Sequence, residues 1–87
     1  MVTHVLEKVS VLSVYNHQKG GFAPRKIRWK DRIYQITQVG YHHKVRLGRT
    51  MLHVFSVCND AMAFKLHFNA DTLEWVLEEV SDDESAA

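Results

Sequence analysis

Histidine is the residue type in this sequence that most directly suggests chemistry, because imidazole is the commonest protein ligand of transition metals. The chain has six of them: His4, His17, His42, His43, His53 and His67. Their spacing does not predict a metal site, since no His-Glu-x-x-His motif occurs and neighbouring side chains of a strand point to opposite faces. The registers derived below place His43 diagonal to His53, a pair that would need a third ligand. We expect a histidine hydrogen-bonded to backbone there, and no metal.

Nucleophilic and phosphate-binding motifs are also missing. Cys58 is the single cysteine, which excludes an internal disulfide, and no histidine lies near it in the predicted registers. The pair Gly20-Gly21 lacks both the lysine of a Walker motif and the strand-to-helix setting of a dinucleotide fold. We therefore expect no catalytic residue, no cofactor and no enzymatic activity.

A basic stretch between residues 19 and 49 is more informative. It contains nine cations against one acid, Asp31, with aromatic residues between them. Basic sheet faces with aromatic neighbours are how small β-barrels follow a nucleic-acid backbone and stack its bases. In strand geometry alternate cations project from one side, which predicts a nucleic-acid-binding face formed by Lys26, Arg28, Lys44, Arg46 and Arg49. The opposing interpretation is that these are solvated cations and that Trp29 and Tyr34 are packing residues.

A protein partner or a homodimer is the alternative to nucleic acid. The net charge of +1 conceals a strongly basic first half and an acidic second half. Such halves either neutralise each other across a sheet or face different partners. The outer face of the last three strands is expected to show Leu52, Val54 and Val76 among charges of both signs, and mixed patches of this kind suit protein interfaces.

Length and composition predict one folded domain in a cytoplasmic protein. The 87 residues are 46% hydrophobic and 24% charged, as in ordinary globular domains. No uncharged apolar run approaches the roughly 18 residues of a membrane helix, and charges follow early where a signal peptide would stay apolar. We expect a domain over residues 1–80, an acidic disordered tail over 81–87, and no membrane partner.

Turn residues divide the chain into short runs rich in β-branched and aromatic residues, which predicts an all-β antiparallel meander. Two-residue turns at Lys30-Asp31 and Asn59-Asp60 and a four-residue loop at 69–72 give three compatible registers. The first sets Ile27 beside Tyr34; the others set Phe55 beside Phe64 and Leu66 beside Trp75. The expected fold is five or six strands curled toward an SH3-like barrel.

These registers separate a core face from an outer face. The predicted core is Ile27, Trp29, Tyr34, Ile36, Phe55, Val57, Phe64, Leu66, Phe68, Leu73, Trp75 and Leu77. Gly40 interrupts the alternation, which predicts a bulge that turns Tyr41, His43, Val45 and Leu47 inward. His42, Lys44 and Arg46 are then expected to face outward.

Residues 72–80 also fit a short C-terminal helix. Asp71 followed by Glu74 resembles a helix cap, and apolar residues recur at helical spacing. The strand is favoured because its register agrees with the preceding hairpin.

The hairpin Trp29-Lys-Asp-Arg32-Ile-Tyr34 and the ending Trp75-Val-Leu77 resemble small bacterial all-β domains of unknown function. In those domains a Trp-x-Gly-Arg-x-Tyr hairpin precedes a closing Trp-x-Leu strand. The likeness covers residues 24–80, and Asp31 stands where such domains often have glycine. The resemblance implies an all-β fold and supplies no catalytic residue or ligand.

Overall fold

A computed structural model describes residues 2–82 and shows a single antiparallel sheet. Its strands are β1 (Val2–Asn16), β2 (Gly21–Trp29), β3 (Arg32–Gln35), β4 (Gln38–Leu47), β5 (Thr50–Cys58), β6 (Met62–Asn69) and β7 (Glu74–Asp82). The order in the sheet is β3-β2-β1-β7-β6-β5-β4. The all-β antiparallel prediction is confirmed, with seven strands rather than five or six. No helix in residues 2–82 is long and apolar enough to cross a membrane.

The C-terminal segment is a strand, so the alternative helix is wrong. β7 pairs with β1 on one side and β6 on the other. Pairing on both sides satisfies the backbone of β7 without a helix, while Trp75, Leu77 and Val80 enter the core. Because β7 continues to Asp82, residues 81–82 of the predicted tail belong to the strand, and residues 83–87 lie outside the described part of the chain.

The sheet curls without closing. β2 and β5 are separated by three strands in the sheet order, yet the ring centroids of Phe22 and Phe55 are 5.5 Å apart. The two edge strands, β3 and β4, follow each other in the chain. Between them, the Ile36 amide donates to the carbonyl of Arg25 on β2 (2.9 Å) and the Thr37 amide to Cys58 on β5 (3.0 Å). The chain thus bridges both ends of the sheet at this one point.

Beyond that bridge the two ends remain separate, and we call the gap the seam. β3 pairs only with residues 26–29 of β2, which leaves the edge at residues 21–24 without a strand partner. In the described sheet β4 has a strand neighbour on its β5 side alone. The seam therefore lies between residues 21–25 of β2 and the open edge of β4.

The core lies on the concave face of this curled sheet. Most of the predicted core is buried there: Ile27, Ile36, Phe55, Val57, Phe64, Leu66, Trp75 and Leu77. Trp29, Tyr34 and Phe68 are partly buried against them. The prediction for Leu73 is wrong, because this residue lies in the β6–β7 turn with a φ of 63° and is 69% exposed.

One of the three predicted registers matches the structure, and the other two are shifted along the strands. The β2–β3 pairing is as predicted, with Ile27 opposite Tyr34. Along β5–β6, and along β6–β7 from Leu66 onward, the partners are displaced by two residues, so Val57 faces Phe64 and Phe68 faces Trp75. Before Leu66 a bulge in the β6–β7 pair adds one residue to the displacement. A shift of two keeps every side chain on its face, since the side-chain period of a strand is two.

Asparagine side chains shape both turns: four residues rather than two separate Cys58 from its partner Ala63, and the four-residue β6–β7 loop lies at 70–73 rather than 69–72. The Asn59 Oδ1 accepts hydrogen bonds from the amides of Ala61 and Met62, both at 2.8 Å. Asn69 Oδ1 does the same for Asp71 and Thr72. Asparagine mimics a backbone turn in this way.

The inward face of β4 is the opposite of the predicted one. A bulge at Gly40 is present, since the register shifts between Val39 and Tyr41. The alternation also changes once earlier, at the bridge, because Ile36 is in the core and Val39 lies opposite the buried Val57. Two changes cancel. His42, Lys44 and Arg46 consequently lie on the concave face, and Tyr41, His43, Val45 and Leu47 on the convex face.

Candidate functional site

The seam contains an open cleft with a basic lining. The cleft has a volume of about 440 Å³ and extends from the end of β1 to the start of β4. Its lining consists of Val14, Asn16, Lys19, Gly21, Phe22, Ala23, Arg25, Thr37, Gln38 and Val39. Lys19 and Arg25 are cationic, and no acidic residue is in this lining. The cleft is therefore electropositive and bordered by unpaired backbone edges.

Local turn chemistry brings Lys19 to the cleft. After β1 ends, the Asn16 Oδ1 accepts hydrogen bonds from the amides of Gln18 (2.9 Å) and Lys19 (3.2 Å). Gly20 then adopts a φ of 69° and its amide donates to the Asn16 carbonyl at 2.8 Å. This conformation suits glycine, which has no Cβ to clash. The short turn holds Lys19 at the mouth of the seam.

A bulge in β2 brings Arg25 to the same cleft. Leu12 pairs with Lys26 and Ser13 with Pro24, so Arg25 is the extra residue between two consecutive partners of β1. Pro24 is fully buried and has no amide hydrogen to donate to a ladder. Bulges re-aim side chains in this manner, and here the result is a guanidinium group beside the open edge.

Aromatic rings fill the seam from the concave side. Phe22 of β2 is the central ring, and it packs edge-on against rings from four other strands. Its neighbours, with centroid separations between 5.3 and 6.3 Å, are His53, Phe68, Phe55, Trp75 and His42. Edge-to-face packing at these distances is favourable. Side chains, rather than backbone pairing, thus hold the two ends of the sheet together here.

Two histidines meet at the inner end of the seam. The His42 Nε2 and His53 Nδ1 atoms are 3.1 Å apart, which is hydrogen-bond distance. The His42 ring stacks on Phe55 with a centroid separation of 4.3 Å and an interplanar angle of 4°. The residue paired with His53 is therefore His42, whereas the sequence predicted His43. His43 lies on the convex face against Tyr41, with its Nδ1 buried and lacking a hydrogen-bond partner.

The electrostatic environment of this pair is cationic. Desolvation lowers the pKa of His42, and the charges of His53, Lys44 and His43 lower it further. The pKa of His53 is lowered by desolvation first and then by Lys44. Both effects favour neutral imidazoles near neutral pH. Within residues 2–82 no group of three or more His, Cys, Asp or Glu side chains could hold a metal ion.

The five cations predicted to bind nucleic acid do not form one face. Lys44 lies opposite His53 and Arg46 opposite Met51, both on the concave side of β4, and Arg49 is in the β4–β5 turn. Lys26 and Arg28 lie on the convex face, because Ile27 between them is in the core.

Lys26 and Arg28 instead flank a small apolar cleft of about 270 Å³ beside Leu12 and Ile33. A larger cleft of about 420 Å³ near Arg28 also contains Glu7 and Asp31, so its cations are partly neutralised. The cleft at Lys26 and Arg28 has no acidic lining residue either, but it is smaller than the cleft of the seam and its other lining residues are mostly apolar.

Sheet order explains why cations gather at the seam. The acidic strand β7 is in the middle of the sheet, and its neighbour β1 offsets part of its charge through Lys8 and Glu74, at 3.0 Å. The basic strands β2, β3 and β4 are at the two ends. Because the sheet curls, these two ends meet, and Lys19 and Arg25 line the cleft between them.

The convex face carries the predicted apolar patch in altered form. Val54 and Val76 both lie opposite His67, one on each side, while Leu52 lies in the next row opposite Asn69. Val54 is only 6% exposed, although no second layer of the described chain covers this face. His67 is hydrogen-bonded to Glu78, which also pairs with Lys65 at 3.8 Å.

Sequence reasoning missed Lys19, Arg25, Phe22 and His42 as members of one site. One signal was available: Pro24 stands next to a predicted strand, and a proline that belongs to a strand marks an edge or a bulge. Comparisons with family models, curated proteins and solved structures give no match for this chain. Its function must therefore be inferred from the site.

Proposed function

We propose that this protein is a binding module for single-stranded nucleic acid and that the strand lies along the seam. The observation that carries the proposal is the acid-free cleft lined by Lys19 and Arg25. Lys44 and Arg46 continue the row of positive charge along β4. A chain of phosphates is the ligand that such a row of cations suits, since each neutralised phosphate releases a bound counterion.

Aromatic groups next to these cations supply the second element of the interface. Tyr15 lies opposite Phe22 in the β1–β2 register and is 67% exposed. Phe22 lines the cleft together with Lys19 and Arg25, and the exposed ring of its cross-strand neighbour gives a base a surface on which to stack, as in other proteins that bind single strands. This ring favours a single strand over a duplex, because only unpaired bases are free to stack on a side chain.

The test is a titration with a labelled oligothymidylate of about twelve nucleotides. The double variant Lys19→Glu, Arg25→Glu should weaken binding by about tenfold or more at low salt. Lys26→Glu, Arg28→Glu makes the same charge change on the convex face and is the matched control. Wild-type affinity should also fall steeply between about 50 and about 200 mM salt.

Three results would overturn the proposal. If the convex-face variant loses more affinity than the seam variant, the nucleic acid binds to Lys26 and Arg28 instead. Affinity that does not change with salt would exclude phosphate contacts as the source of binding. The absence of any binding at low salt would exclude nucleic acid as the ligand.

Self-association through the convex face is a second candidate. It is favoured by Val45 and Leu47, exposed apolar residues on the convex side of β4, and by the buried Nδ1 atom of His43 on the same face, which has no hydrogen-bond partner. Apolar surface of this kind is typical of interfaces. Sedimentation at several protein concentrations should then show a dimer that the half-buried Leu52→Glu variant abolishes, whereas a monomer at all concentrations would contradict it.

A further inference from the structure

The hydrogen bond between His42 and His53 depends on their protonation state. One imidazole nitrogen must donate and the other must accept, so at least one of the two rings has to be neutral at the bonded nitrogen. When both rings are protonated, all four nitrogens are donors and the 3.1 Å contact becomes repulsive. The pair then presents two positive groups that require an anionic partner.

The charged groups that act on His42 and His53 are all cationic, so the partner that the protonated pair needs is an anion. Phe22 from β2 packs against both rings, and Phe55 from β5 stacks on His42. Phe68 from β6 contacts His53, and Trp75 from β7 packs behind the two phenylalanines. None of these carries a charge. The charged neighbours are Lys44 and, across β4, His43. Carboxylates do not figure among the charges that act on either histidine.

We propose that His42, His53 and Lys44 form a proton-coupled phosphate site at the inner end of the seam. This inference rests on the proposed function, because the phosphate belongs to the bound nucleic-acid strand. A phosphodiester keeps its single negative charge between about pH 5 and about pH 8, so the titrating groups are those of the protein. Binding of the anion favours the imidazolium forms, and protonation in turn favours the anion.

The direction of the pH effect follows from the lowered pKa values. In the free protein both histidines are mostly neutral at neutral pH, and they take up protons as the pH falls below about 6.5. A bound phosphate moves this uptake to higher pH, so the complex holds more protons than the free protein. Affinity therefore rises as the pH falls, by up to tenfold per pH unit for each proton taken up.

Stability of the free protein changes in the opposite sense. Because the folded pKa values lie below those of the unfolded chain, the unfolded state binds more protons between the folded pKa and about 6.5. The contribution of the pair to stability is thus present above about pH 6.5 and is lost as the pH falls. Bound phosphate offsets that loss, which links the ligand to the protonation of the pair.

The experiment measures oligothymidylate affinity at about pH 7.5 and about pH 5.5 at constant ionic strength. Wild-type protein should bind about tenfold more tightly at the lower pH. His42→Gln and His53→Gln should each reduce this difference to about twofold or less. The variant His4→Gln removes a histidine of β1 that lies beside Glu79, outside the site, and should keep the wild-type difference. NMR titration of the imidazoles should show that the oligonucleotide raises the pKa of His42 and His53.

Folding of the variants is checked by circular dichroism and thermal melting, and His53→Gln preserves the stacking of His42 on Phe55. Equal wild-type affinity at the two pH values would overturn the proton-coupled site while leaving nucleic-acid binding intact. The proton-coupled site is also overturned if the His4→Gln variant loses the pH effect as fully as the pair variants. No binding at either pH would overturn the proposed function and this inference together.

Discussion

At the scale of single residues, Phe22 and the rings around it stabilise the core and also border the proposed site. Trp75 packs against Phe68 with a centroid separation of 4.8 Å and against Phe55 at 5.5 Å, which anchors β7 in the core. Phe22 joins this group from the other end of the curled sheet. The same ring also lines the cleft of the seam. The proposed site is thus built directly on the core, which limits the movement of its side chains.

Replacement of Trp75 by alanine tests this anchoring. The side chain is 8% exposed, and removal of a buried tryptophan costs about 3 to 5 kcal/mol through lost transfer energy and the cavity left behind. Urea denaturation measures the change in the free energy of unfolding. Leu73→Ala, at an exposed position in the β6–β7 turn, should change it by less than about 0.5 kcal/mol. A Trp75→Ala variant as stable as the Leu73→Ala variant would contradict the described core.

At the scale of elements, turn geometry determines how well each hairpin could be anticipated. The β2–β3 turn has positive φ at both central residues, 52° at Lys30 and 61° at Asp31, which is a type I′ turn. Its two-residue length was predicted correctly from the flanking pattern. The β5–β6 turn is wider than predicted and the β6–β7 loop lies one residue later, and in each an asparagine side chain binds backbone amides.

Asp31→Gly should therefore stabilise the protein. Glycine adopts the left-handed conformation without strain, and a non-glycine residue there costs about 1 kcal/mol or more. After the greater freedom of glycine in the unfolded chain is subtracted, we expect a gain of about 0.5 to 1 kcal/mol. Chemical denaturation with an unchanged slope is the measurement.

Asp60→Gly provides the matched control in another turn. Asp60 is not among the residues with positive φ, so the same substitution there should lower stability by about 0.5 kcal/mol. A gain at both positions, or a loss at Asp31, would contradict the turn geometry.

At the scale of the whole molecule, the sheet is strongest at its centre and open at its ends. β7 is paired along both edges, whereas β4 is paired along one edge only. The bridge at Ile36 and Thr37 ties the two ends together through hydrogen bonds to Arg25 and Cys58. Above that bridge the seam depends on packing between Phe22 and the histidine pair.

Amide hydrogen exchange should be slowest at the centre of the sheet and fastest at its open ends. Amides of β7 that bond to β1 or β6 should exchange the most slowly, because their release requires opening of the central sheet. Those amides of β4 that point away from β5 should exchange fast in the free protein. Addition of oligothymidylate should slow exchange at the seam and leave β7 unchanged. Uniformly slow exchange along β4 in the free protein would mean that another surface already covers this edge.

The sequence by itself determined the fold class, the face of most core residues and the β2–β3 hairpin. These depend on local alternation and turn chemistry, and a two-residue error in register does not change which side of a strand is buried. The resemblance of residues 24–80 to small bacterial β domains stays a prediction, as does cytoplasmic location. So does nucleic-acid binding, for which Lys44 and Arg46 lie along the proposed site while Lys26 and Arg28 lie on the opposite face.

Only the tertiary structure decided where the candidate site lies. Whether His42 or His43 meets His53 depends on two irregularities, at Thr37 and Gly40, and each reverses the faces of everything that follows. The convergence of Lys19 and Arg25 with β4 depends on the curling of the sheet, which brings together strands far apart in the sheet order. Strand patterning records which residues alternate, whereas curvature arises from the packing of many distant side chains at once, and no local pattern contains that information.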